Sequence, residues 1–336
     1  MQLSVLDQSP IRFGASPALA IQETLELAQL CDQLGYHRYW LAEHHATGGL
    51  AGSCPEILIG QVAAVTHHMR VGSGGVMLNH YSSLKVAEQF RMLETLFPGR
   101  IDLGIGRAPG SDHKTAMALQ HGPGSLPIAY FPRQIADLMG FMSNKLEQIH
   151  PFSGIEAMPT GPSSPPLWLL GSSDQSAAYA AHFGTRFAFA HFINPRGGEQ
   201  VMDAYRGYFQ PSLELAQPSA AVAAFVICAD TNEQAQWLRK SRDLWLLRLQ
   251  KGELGPIPTP QQAEAYSYTE QEKHLIQTNH ERSIAGDPDT VKHALAALAT
   301  RYAVDEVIIV TICHDFEARK HSYRLLAEAF GLLVKL

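Results

Sequence analysis

Three groups of residues in this sequence have the right types and spacing to do chemistry. Glu43-His44-His45 sets a carboxylate beside two imidazoles, and imidazole titrates close enough to neutrality to move protons. Leu170-Gly171-Ser172-Ser173-Asp174-Gln175-Ser176 reads as a strand end, a tight turn and a helix start. Free backbone N–H groups at a helix N-terminus, with hydroxyls beside them, make a seat for a phosphate. A simple N-cap from Ser172 or Ser173 accounts for the pattern equally well, and Asp174 opposes an anion unless its side chain turns outward. Arg107 supplies a fixed positive charge suited to a phosphate. Gly72-Ser73-Gly74-Gly75 lies in a β-type run, where glycines mark a bulge or a close approach of the backbone to another body. A planar cofactor is one such body, and loose packing is the plain alternative.

The elements that must position these groups alternate along the chain. β-type runs fall at residues 2–6, 38–42, 70–78, 101–105, 167–170, 186–190, 220–228 and 306–311. Helical spacing appears at 18–34, 55–65, 84–96, 132–148, 174–183, 199–209, 232–250, 288–301 and 316–333. Such alternation implies a parallel sheet, and eight repeats fit closure into an α/β TIM-type (β/α)8 barrel. The reading is one barrel over 1–336 with insertions near 108–131 and 251–283, the second a candidate lid. In such a barrel the reacting groups sit at the C-terminal strand ends. Those ends collect Asp7 and Ser9, Glu43 to His45, Asn79-His80-Tyr81, Arg107 and Asp112, the serines 172, 173 and 176, and His191.

Several classes of function are excluded. The 336 residues carry a formal net charge of −6 with no long run of one sign, which is no footprint for nucleic acid. The apolar stretches are too short for a bilayer span, and no basic leader precedes the first strand, so the expected location is cytoplasmic. Cys31, Cys54, Cys228 and Cys313 lie too far apart in sequence for a thiolate metal motif and read as reduced thiols. Adjacent strand residues face opposite ways, so His44 and His45 cannot easily share an ion, and no metal site is expected. Gly104-Ile105-Gly106-Arg107-Ala108-Pro109-Gly110 is a poor dinucleotide fingerprint, and no phosphate-loop lysine motif or nucleophile elbow is present.

Several blocks, taken in order, resemble the bacterial luciferase-like flavin monooxygenases. They are Trp40-Leu41-Ala42-Glu43-His44-His45, Val71-Gly72-Ser73-Gly74-Gly75-Val76-Met77-Leu78 and Lys85-Val86-Ala87-Glu88-Gln89-Phe90. Phe97-Pro98-Gly99-Arg100-Ile101-Asp102-Leu103-Gly104-Ile105-Gly106-Arg107-Ala108-Pro109-Gly110-Ser111-Asp112 is the most specific. Pro166-Leu167-Trp168-Leu169-Leu170-Gly171-Ser172-Ser173 and Ala285-Gly286-Asp287-Pro288 complete the set. The chain looks closest to small bacterial members of the group. The segment Asn79-His80-Tyr81-Ser82-Ser83, where many relatives carry proline, and Gly106, where the light-emitting subunit has a reactive cysteine, argue against bioluminescence.

The resemblance implies that Arg107, Ser172, Ser173 and Ser176 hold the phosphate of FMN and that Gly74-Gly75 is a cis peptide at the flavin ring. It implies a catalytic role for His44 in proton transfer, with a pKa near neutrality. The implied activity is a two-component monooxygenase that takes reduced FMN from a separate NAD(P)H-dependent flavin reductase and uses O2 on a small organic substrate. Homodimerisation is implied too and fits the apolar helix near residues 87–96. The alternatives are an F420-dependent oxidoreductase on the same scaffold and a non-catalytic flavin-binding protein.

Overall fold

A computed structural model describes residues 1–107, 112–120 and 127–332. The first half runs β1 (Gln2–Asp7), α1 (Pro17–Leu34), β2 (Arg38–Leu41), α2 (Pro55–Val65), β3 (Arg70–Ser73), β4 (Val76–Met77), α3 (Ser83–Leu96), β5 (Ile101–Gly106), α4 (His113–Leu119) and α5 (Phe131–Ser143). The second half runs β6 (Leu167–Gly171), α6 (Asp174–Phe183), β7 (Arg186–Ala190), α7 (Gly198–Gly207), β8 (Ala220–Cys228), α8 (Asn232–Gln250), α9 (Pro260–Ala265) and α10 (Glu270–Asn279). β9 (Ser283–Gly286), α11 (Pro288–Tyr302), β10 (Glu306–Val310) and α12 (Phe316–Phe330) complete the described chain.

Every pairing in the sheet is parallel, and the sheet closes on itself. β1 pairs with β2 on one edge and β10 on the other, and β10 pairs in turn with β8. Eight strand positions form the ring, as expected for a TIM-type barrel. β9 is an additional strand. Phe225 of β8 pairs with Val310 on one edge and with Ser283 on the other, so β9 continues the edge that β7 occupies lower down.

Alternation along each strand divides the core into two layers. Leu3 and Val5 of β1 and Val307 and Ile309 of β10 point outward into the large cluster beneath the helices. Leu6, Trp40, Trp168, Ala223 and Ile308 point inward and fill the lumen. At the N-terminal end of the barrel the lumen is closed by charge. Arg38 pairs with Asp102 (2.5 Å) and Glu306 (2.6 Å), and Asp102 also takes Arg70 (2.8 Å) and the Trp40 indole N–H (3.1 Å). Ser4 donates to Glu306 (2.5 Å), and the Arg38 guanidinium lies over the Trp168 ring.

Three sequence expectations shift. The run at 70–78 is broken into β3 and β4 by a cis peptide at Gly74-Gly75. The helix expected over 132–148 ends at Ser143, because Asn144 turns left-handed (φ 53°) and its N–H closes on Gly140 and Phe141 carbonyls. The segment 251–283 is not a plain loop. It contains α9 and α10, each opened by a full capping box, Thr259 with Gln262 and Thr269 with Glu272. These helices pack on α8 through Leu244, Leu247, Ala263 and Ile276. Of the stretch 108–131, residues 108–111 and 121–126 lie outside the described residues, as does the Leu333 end of the last expected helix.

Candidate active site

The site forms where inward-facing strand residues meet the C-terminal loops. Along and just past β2, Arg38, Trp40 and Ala42 face the lumen, so the alternation carries His44 inward, and Glu43 between them borders the same cavity. Glu43 is fully buried and wholly engaged. It accepts hydrogen bonds from the Met77 N–H (2.9 Å) and the Tyr81 hydroxyl (2.8 Å), and it pairs with His45 Nε2 (2.8 Å). The two adjacent histidines are thereby separated: His45 is bound to a carboxylate, and His44 has none.

His44 is positioned through its backbone, whose N–H donates to the Gly52 carbonyl (2.8 Å). Its Nδ1 is buried and has no hydrogen-bond partner among the described residues. Burial of the ring, with His45 adding positive charge nearby, pushes its pKa down to about 4. That corrects the expected near-neutral titration. With its Nδ1 buried and no carboxylate of its own among the described residues, this imidazole is a neutral group at physiological pH.

The glycine pair shifts the alternation by one position. A Cβ on Gly74 would meet Leu6 at 2.6 Å, and one on Gly75 would meet Leu170 at 2.5 Å and the Gly104 carbonyl at 2.8 Å. Both residues therefore face the lumen, after which Val76 turns outward into the main core and Met77 inward to the cavity. Packing against Leu6, Leu170 and Gly104 accounts for the lack of side chains here.

Close to the glycines, β6 ends at Gly171 and α6 begins. Ser173 occupies the N-cap position, but its side chain makes no capping hydrogen bond. Its hydroxyl lies 3.2 Å from that of Ser176, and the two form a pair beside the first turn of the helix. The N-cap alternative for Ser173 is therefore not what the structure has. Asp174 is exposed and outside the cavity, so it does not oppose an anion there. Arg107, just after β5, bonds the neutral amide of Gln175, and no carboxylate within 4 Å pairs with it among the described residues.

All seven residues singled out in the sequence line one cavity of about 440 Å3: His44, Gly74, Gly75, Arg107, Ser172, Ser173 and Ser176, with Arg107 tied to the helix start of the serines through Gln175. A second cavity of about 390 Å3 shares His44, Gln8, Phe192 and Ile193 with it. The other strand-end residues go elsewhere. Asp7 falls on the outward side of β1, where burial raises its pKa but Arg319 (2.7 Å), the Tyr39 hydroxyl (2.5 Å) and the Ser9 N–H (2.8 Å) leave it lowered overall. His191 likewise follows the outward residues of β7 and bonds Tyr302 (2.9 Å) beneath α11. Asp112 lines the second cavity and caps α4 through Thr115. Among the described residues no cluster of three or more histidine, cysteine or carboxylate groups is placed to hold a metal.

Sequence reasoning missed Gln8, which is 7% exposed and lines both cavities with a buried Oε1 that has no partner among the described residues. The inward alternation Ser4, Leu6, Gln8 was the available signal. Arg282 in the second cavity was also missed, because it follows α10 in a segment taken for a loop.

The profile of the luciferase-like monooxygenases matches residues 1–305. The chain belongs to this family. Family membership makes it an oxidoreductase enzyme, which removes the non-catalytic alternative. It is 41% identical to a luciferase-like monooxygenase of Escherichia coli K12, with 96% of this chain and 95% of that one covered. It is 38% identical to the N-acetyl-S-alkylcysteine monooxygenase of Bacillus subtilis 168, with 98% of each covered. The solved structure of apo-MsnO8 superposes with a TM-score of 0.88 at 38% identity, with 99% of each chain covered. More distant structures share the fold alone: a type II Baeyer–Villiger monooxygenase component from Pseudomonas putida in complex with FMN (17% identity, TM-score 0.70), and an F420-dependent secondary alcohol dehydrogenase (12%, 0.66). Among the described residues no helix is long and apolar enough to cross a membrane.

Proposed function

We propose that this protein is a two-component monooxygenase that binds reduced FMN in the larger cavity and uses O2 to oxidise a small organic substrate held beside it. One observation carries the reading. A single cavity brings together a cation with no carboxylate partner, a pair of hydroxyls at a helix start, a lumen-facing glycine pair and a buried imidazole with an unengaged nitrogen. These are the parts a phosphorylated, planar, redox-active ligand needs.

Arg107 and the hydroxyls of Ser172, Ser173 and Ser176 would hold the phosphate, aided by the N-terminal N–H groups of α6. Gly74 and Gly75 line the cavity and would set bare backbone against the ring. Reduced FMN supplies the electrons that activate O2. His44 is neutral above about pH 4, and its Nδ1 is where we place proton exchange with the bound reactants. Segment 251–283 contributes Glu253, Leu254, Gly255 and Arg282 to the second cavity and would act as its cover against water. A separate flavin reductase would supply the reduced cofactor. Pairing of two copies through α2 and α3 is supported by the exposed Ile57, Met92 and Leu96.

The test is an anaerobic titration with reduced FMN and, in parallel, reduced F420. Wild type is expected to bind FMN more tightly, and Arg107→Gln to weaken it about 10- to 100-fold, the scale of a charge-assisted hydrogen bond. Tighter binding of F420, or no binding of either, would overturn the assignment. Oxygen uptake by the FMN-loaded protein completes the test.

A further inference from the structure

The second cavity has a composition that the flavin reading does not use. One wall is apolar and aromatic, formed by Phe192, Phe225, Trp245, Leu246 and Leu249. Phe225, Trp245 and Leu246 are each less than 10% exposed, and Phe192 packs edge-on against Phe225 (5.3 Å between centroids). Among these side chains stands one guanidinium, that of Arg282.

The charged groups around this cavity differ in how they are occupied. Glu253 pairs with Lys251 at 3.3 Å, and His45 with Glu43 at 2.8 Å. The Asp112 carboxylate takes both the N–H (3.0 Å) and the hydroxyl (2.8 Å) of Thr115. Arg282 is half-buried and bonds only neutral oxygens, the Asn279 side-chain amide and the Ile193 carbonyl (3.3 Å). No carboxylate lies within 4 Å of it among the described residues. Asp and Glu partners neutralise the buried Arg38, Arg242 and Arg319, and buried Arg91 is held by the Met142 and Pro159 carbonyls, but of these arginines Arg282 alone lines the second cavity. A guanidinium withdrawn from water and left without a counter-ion is costly unless a ligand provides one. Its planar fork suits a carboxylate in two-point contact.

We infer that the second cavity binds an organic acid, with the carboxylate on Arg282 and an apolar chain against Phe225, Trp245 and Leu246. The cavity joins the proposed flavin site through Gln8 and His44, whose orphaned Oε1 and Nδ1 mark the polar point where an oxidisable group of such a substrate would be held. The inference deepens the monooxygenase reading by naming a substrate class, and rests on it only for the word substrate. Binding itself does not depend on flavin.

Calorimetric titration with octanoate and with its neutral counterpart octanamide separates the two ideas. The expected result is a preference of about 10-fold or more for octanoate in wild type. Arg282→Gln should erase that preference while leaving octanamide affinity unchanged, and Arg282→Lys, which keeps the charge, should retain part of it. Equal affinities in wild type, failure of both probes to bind, or a preference that survives Arg282→Gln would overturn the inference. Should Arg282→Gln fail to fold, loss of the octanoate preference at pH 7 in Arg282→Lys would overturn it as well. Reduced-FMN binding measured on the same samples keeps the readings apart: a protein that binds FMN but does not discriminate between the probes refutes only the acid site, and the converse refutes only the flavin assignment.

Discussion

The two ends of the barrel lumen are built on opposite rules. At the N-terminal end Arg38, Arg70, Asp102 and Glu306 are paired with one another, and the Ser4 and Trp40 donors fill remaining acceptor positions. At the C-terminal end, among the described residues, His44 Nδ1 and Gln8 Oε1 are buried without partners, and Arg107 and Arg282 bond only neutral oxygens. Buried polar groups ordinarily find partners within the protein. The charged groups of the floor follow that rule, although the Trp168 indole N–H beside them has no partner among the described residues; the polar groups of the mouth that depart from it are those to which we assign ligands.

The contrast can be broken most sharply at the floor. Arg38→Leu leaves Glu306 without its cation and Asp102 with only Arg70, and we expect a loss of about 3–5 kcal/mol in unfolding free energy. Urea denaturation monitored by circular dichroism measures it. A loss below about 1 kcal/mol would mean that the plug is not structural.

A somewhat smaller effect is expected from His44, and its sign follows from linkage. The unfolded chain takes up this proton near pH 6.5 and the folded protein only near 4, because burial disfavours the imidazolium. Between those values the unfolded state binds more protons, so stability falls as pH drops from about 6.5 to 4 and changes no further below. The contribution at pH 7 that is lost across this window is roughly 3 kcal/mol. The stability of wild type relative to His44→Phe should fall by that amount between pH 7 and pH 4; parallel curves would show that His44 is not desolvated.

The smallest expected effect on stability is Ser173→Ala. An N-cap serine is typically worth about 1 kcal/mol, but this hydroxyl makes no capping bond. Thermal denaturation should therefore show a change below about 0.5 kcal/mol, accompanied by several-fold weaker binding of reduced FMN. A full capping loss would assign the hydroxyl to the helix instead.

How much of this was legible in the sequence follows from strand alternation. The eight ring strands were readable because turn signals separate them, and the alternation also selects His44 over His45 for the lumen. The same alternation, not followed past the strand ends, let Asp7 and His191 be placed in the mouth, whereas both turn outward to Arg319 and Tyr302. The helices α9 and α10 were missed although Thr259-x-x-Gln262 and Thr269-x-x-Glu272 announce them. β9 carried less signal: four residues that pair only with the far end of β8 depend on tertiary placement. The depressed pKa of His44 was beyond sequence reasoning, since it depends on how the folded barrel buries the ring and sets His45 beside it.

Ring closure has a consequence for how the chain comes to be folded. β1 completes its hydrogen bonding only when Gln2 to Val5 meet Glu306 to Ile309, some three hundred residues downstream, and the Asp7–Arg319 pair then clasps the seam. Until that late segment leaves the ribosome, the first strand has an open edge, the kind of surface on which nascent chains stick to one another.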